Sequence, residues 1–337
     1  MTWLTWRQLR TQTTAVAVLV LALSAALLST ASHLHRIANT ASAYNLMSAF
    51  EHRAFYVGIG VLAVAPALLG VFWGAPLVAR EVENGTHRLV WSQSVTRGRW
   101  LTVRLGSAML AAAVLVGALS ALVTWWAGPV EGAQSRQRGS LPLRLTPVSF
   151  GMRGLVPVAY AVLAIAIGAL LGLVLRRTLP AMALTAALMV FVQVALPFWV
   201  RPHLAPQVTA SVTIARDTLD GISSQGPGSA AYLTVRPVHP GDWVLHNVTL
   251  DRGGHPTAMP SWFGDCIMPP LAVASKAGPA PDISGCLNRL TTEGYRQQVT
   301  YQPVDRFWRL QWTETALVLA FAGLLTAVTF RLLLRVS

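Results

Sequence analysis

Arg80, Glu81, Glu83, Arg88 and Arg97 fall within one 26-residue stretch, Ala79–Arg104, which holds five arginines in all. Guanidinium and carboxylate groups at this density make ion pairs and charge-assisted hydrogen bonds, the chemistry of docking rather than of bond breaking. Gly85 and Thr86 stand among them. Glycine readily takes the left-handed conformation that ends a helix, and threonine caps the turn that follows. His87–Gln93 then reads as about two helical turns, with Leu89, Val90 and Trp91 available for burial. The alternative is a basic loop whose arginines only hold membrane topology.

Other reactive residue types are sparse or badly spaced. Lys276 is the only lysine and sits in VASKAGPAP, without the glycine spacing that cradles a phosphate, so this chain cannot supply a Walker-type ATPase. There is no HExxH, no CxxC pair and no nucleophile elbow. His33, His35 and His52 lie near one loop with no diagnostic spacing; they read as solvated loop histidines, and no metal site is assigned. Cys266 and Cys286 fall in one long polar segment and suggest a disulfide, the alternative being two buried free thiols. Closing that loop stabilises by roughly 3 kcal/mol in the chain-entropy model.

The elements around these residues are apolar helices. Charged residues make up 12% of the chain and hydrophobic residues 53%, and the latter cluster into runs. The net charge of +13 does not indicate nucleic acid, because the arginines sit in short loops beside those runs. Thr14–Ser32, Phe55–Val78, Leu105–Ala127, Gly154–Leu175, Leu179–Val200 and about Thr313–Phe330 are each long enough to cross a bilayer. The first is read as retained, being too long for a signal-peptide core. Residues 1–13 read as an interfacial helix or as a plain basic flank. Trp125-Trp126 reads as an interfacial anchor. Segments 1–13, 79–104, 176–178 and 331–337 carry eleven arginines in 49 residues, which places them and both termini in the cytoplasm.

The expected fold is an all-α polytopic membrane protein: six transmembrane helices, N-in and C-in, with a small mixed α/β extracytoplasmic module between helices 5 and 6. Residues 1–200 form the transmembrane domain with its loop 79–104. Residues 201–311 form the module, with strands over Val208–Ile214, Tyr232–Val235 and Trp243–Leu250 and a helix within Asp282–Gln298. Residues 312–337 form helix 6 and its tail. Gly70 and Gly74, and Gly168 and Gly172, are small-residue pairs that let helices pack closely. Pro66, Pro157 and Pro197 are candidate kinks. Gln193, deep in a span, reads as an interhelical hydrogen bond or, less simply, as part of a substrate path. The span interiors hold no ionisable group, Glu314 at the outer end of the sixth being the near exception, which disfavours an ion-coupled carrier or a channel.

Ala79-Arg80-Glu81-Val82-Glu83-Asn84-Gly85-Thr86, Arg88-Leu89, Ser94-Val95-Thr96-Arg97 and Arg99-Trp100-Leu101, set in this six-span layout, resemble the permease subunit of ABC type-2 exporters. MRGLVPVAYAVLAIAIGALLGLVLRRTLPAMALT and YQPVDRFWRLQWTE resemble actinobacterial members. The resemblance implies a short coupling helix between spans two and three, on which a separate ABC ATPase subunit docks. Arg80, Glu81, Glu83, Arg88 and Arg97 are then candidate ATPase contacts, with Gly85 and Thr86 shaping the element. It also implies a second permease subunit, identical or a sibling, and location in the plasma membrane, in a bacterium. ATP and Mg would be bound by the ATPase partner; this chain has no cofactor and is not an enzyme. The competing expectation is a non-transporting membrane anchor that displays an extracytoplasmic sensing or assembly module.

Overall fold

The computed structural model describes residues 2–37, 40, 46–83, 96–134, 144–223, 231–236, 239, 241–267 and 282–335. They form two compact units, Met1–Leu204 with Phe307–Ser337, and Ala205–Arg306.

The first unit is helical, and six of its helices are long and apolar enough to cross a membrane. The first span, Val16–Ile37, is the C-terminal part of one helix, Thr2–Ile37. No Gly or Pro interrupts that sequence, so residues 2–13 continue the helix rather than forming a separate lead-in. The second begins at Ala49 with a capping box: Ser48 Oγ accepts from the Glu51 amide, and Glu51 accepts from the Ser48 amide. It passes Pro66, widens into a π turn at Gly70–Gly74 and continues as Ala75–Glu83. The third is Arg97–Gln134 and the fourth Val156–Leu175. The fifth is Thr178–Ala195, extended by a π turn at Leu196–Val200 and a 3-10 turn at Arg201–His203. The sixth is Phe307–Arg335.

Prolines explain where these helices deviate. Pro76 lies two residues past the first π turn and Pro197 lies in the second, and a missing N–H breaks the ordinary hydrogen-bond ladder at each place. Pro157 makes no kink. The fourth helix starts at Val156 rather than Gly154, so this proline occupies the first turn, where an amide would be unpaired anyway.

The fourth span is the hub. It packs against the second, third, fifth and sixth, and 67% of its apolar window is buried. Glycines bring it against the second span backbone to backbone. A Cβ on Gly168 would stand 2.5 Å from Gly70 O, and one on Gly172 would stand 2.5 Å from Ala75 O. From the other side, Cβ atoms on Gly70 and Gly74 would meet Ala164 O at 2.7 Å and Ile165 Cα at 2.9 Å. No larger residue fits at this crossing without a backbone shift.

The second unit holds an antiparallel sheet of order β1-β5-β4 (Val208–Thr213, Arg296–Gln302 and Trp243–Leu250) and a hairpin of β2 (Leu219–Ser223) with β3 (Tyr232–Val235). Helices Ser261–Ile267 and Ile283–Thr292 join them around Phe263, Leu287, Leu290 and Val299. Cys266 and Cys286, one from each helix, form a disulfide. The expected helix within Asp282–Gln298 ends at Thr292, and Arg296 already belongs to β5.

Candidate functional site

The charged stretch leaves the second span through Ala75–Glu83. Leu77, Val78 and Ala79 are buried there and Arg80 is exposed. The next residue, Glu81, meets Arg104 of the third span at 2.8 Å, both side chains largely shielded. The Arg104 guanidinium lies 4.9 Å from the Trp100 ring centre, a cation–π distance. Trp100 is itself buried, so the ring that faces the arginine is held in place. The two legs of the stretch are thereby joined where they leave the helical unit.

The third span starts on a threonine cap, Arg99 N–H donating to Thr96 Oγ1 at 3.4 Å. Arg97 and Arg99 occupy its first turn, where the helix dipole disfavours cations. Helix stability therefore does not account for their placement. Gly85, Thr86 and Arg88, with the expected helix His87–Gln93, lie outside the described residues.

Glu83 is engaged inside the chain. Its Oε2 accepts the Thr178 amide at 2.9 Å and the Thr178 hydroxyl at 2.6 Å, at the first residue of the fifth span. Gln193 also ties the fifth span to the second, donating to Ala63 O at 2.8 Å.

The far end of the helical unit holds a polar cluster that sequence reading missed. Arg201 and Glu314 are both 0% exposed and form a two-pronged ion pair, Nε to Oε2 at 2.7 Å and Nη2 to Oε1 at 3.0 Å. Arg201 Nη1 donates to Pro147 O at 2.8 Å, its guanidinium lies 4.2 Å from the Phe150 ring centre, and Tyr160 OH donates to Glu314 Oε1 at 2.7 Å. Gln311 caps the fourth span, its Oε1 accepting from the Leu155 and Val156 amides and its Nε2 donating to Phe150 O. Glu51 is buried too, and His33 reaches it at 2.7 Å. Each of these charges sits at a span end, within reach of an opposite charge or polar partner from another helix. A base at the end of the fifth span and an acid at the start of the sixth were the available signal.

The three histidines are corrected from loop to helix: His33 and His35 lie in Thr2–Ile37 and His52 in the helix that begins at Ala49, with His33 on Glu51, His35 beside the Trp125 ring and His52 bonded to Ser48 O. Trp126 is corrected from interfacial anchor to core residue: it is buried and its Nε1 donates to Thr30 Oγ1 at 3.0 Å. Between the first three spans lies an open groove of about 610 Å³, lined by apolar side chains including Leu19, Val57, Phe72 and Leu115.

Against known families, the model described as ABC-2 membrane transporter related matches residues 3–201. The chain belongs to that family. It is a multi-pass membrane permease of the ABC transporter class, and membership implies association with an ABC ATPase subunit. Members of the ABC-2 family are typically non-enzymatic transmembrane components. The matched segment contains the first five spans, the whole Ala79–Arg104 stretch and Arg201, while Glu314 and the second compact unit lie beyond it. No curated protein and no solved structure matches the chain.

Proposed function

We propose that this chain is the membrane-spanning subunit of an ATP-driven exporter that moves an amphiphilic or apolar compound outward. Both termini face the cytoplasm of a bacterium, the side favoured by arginine density. Separate ATPase subunits bind ATP and Mg and dock on Ala79–Arg104, through Arg80, Glu81, Arg88 and Arg97. Two permease subunits, identical or siblings, pair in the membrane. The observation that carries this reading is the Glu81–Arg104 pair at 2.8 Å, because it joins the legs of the stretch so that a push on one is felt by two spans. The apolar groove beside the first three spans supports an apolar cargo.

The test is the double substitution Glu81→Ala with Arg88→Ala. It should abolish ATPase co-purification or export while membrane insertion is kept. Unchanged association and export would sink the coupling assignment. The anchor reading draws support from the disulfide-closed unit Ala205–Arg306, which has its own core. It requires that the double variant retain full function.

A further inference from the structure

We infer that Glu83 is a positioning residue that carries movement of the Ala79–Arg104 stretch into the fifth span. The inference rests on the coupling reading above and adds the route by which the push leaves the loop.

Glu83 is the last residue of the second span's helix and the fifth of the stretch. Thr178 is the first residue of the fifth. Ninety-five residues separate them, and one carboxylate oxygen takes both the amide and the hydroxyl of Thr178. A helix start leaves unpaired amides and a partial positive charge, both of which favour a carboxylate. The fifth span cannot cap itself: Arg177 stands at its cap position and makes no side-chain cap bond. The cap is thus lent by another span.

The surroundings make this contact a strut. The turn from the fourth span to the fifth is Arg176-Arg177, with Arg176 in the left-handed region at φ 54°, so little chain is available to absorb displacement. At its other end the fifth span is held by Arg201, bound to Glu314 and Pro147 O. A helix pinned at one end and displaced at the other tilts.

The test uses the permease in complex with its co-purifying ATPase subunit. Spin labels go on cysteines at Leu179 (79% exposed) or Thr102, each paired with Leu334 (65% exposed). The native Cys266 and Cys286 are bonded to each other and stay unlabelled. On addition of ATP, Mg and vanadate, both distances should shift in the parent protein and in Glu83→Gln, which keeps an acceptor oxygen. In Glu83→Ala the Thr102 shift should persist and the Leu179 shift should be lost. A Leu179 shift that survives in Glu83→Ala overturns the strut and leaves the coupling reading standing. Loss of both shifts in that variant also overturns it, since Glu83 would then serve entry of the push rather than its passage. If neither label moves in the parent, the coupling reading fails and takes the strut with it.

Discussion

Arg201 and Glu314 stand for the residue scale. Two charges at 0% exposure are costly to desolvate, and the cost is met only because every prong has a partner: carboxylate, Tyr160 hydroxyl, Pro147 carbonyl and the face of Phe150. Removing one member leaves the other charge buried and uncompensated. Glu314→Ala or Arg201→Ala should each destabilise the permease by about 3–5 kcal/mol. The pair Arg201→Met with Glu314→Leu should recover most of that loss. Thermal unfolding of the purified protein in detergent reads both, and a double variant no more stable than either single one would refute the pairing. Glu81–Arg104 is a lesser case, since both side chains keep some contact with solvent.

Elements here are joined by groups lent across the chain. Gln311 of the sixth span caps the fourth, and Glu83 of the second caps the fifth. The glycine crossing of the second and fourth spans works by absence of side chains, so filling it is a sharp perturbation. Gly168→Ala should cost roughly 1–3 kcal/mol, because the added methyl meets the Gly70 carbonyl at 2.5 Å. Gly60→Ala is the control, with nothing within 4 Å of the new atom. Equal melting temperatures for the two variants would contradict the crossing. The spans were legible in the sequence because 18 or more apolar residues have few other homes. Strands β3 and β4 were legible from β-branched and aromatic runs. β5 was not: its sequence RQQVTYQ is polar by hydropathy, yet Gln297 and Gln302 are buried, donating to Thr249 Oγ1 and Ala205 O. The inward role of Glu83 was equally hidden, because its partner lies 95 residues away and no local pattern announces a borrowed cap.

At the scale of the whole molecule, two compact units alternate along one chain. The second, Ala205–Arg306, interrupts the helical unit between its fifth and sixth spans. Its disulfide closes a loop of 20 residues. Replacing both cysteines by alanine should lower the stability of this unit by roughly 3 kcal/mol. Limited proteolysis should then cut within 205–306 first, and resistance equal to that of the parent would show the bond to be dispensable. The insertion also sets an order of events during synthesis. Arg201 leaves the ribosome 113 residues before Glu314, and the Leu155 amide 156 residues before Gln311. Until the last span arrives, the first five carry a guanidinium without its Glu314 carboxylate and helix amides without Gln311. A chain halted after the second unit is therefore marked by its own unmatched charge, a signal that membrane quality control can use to tell an unfinished permease from a complete one.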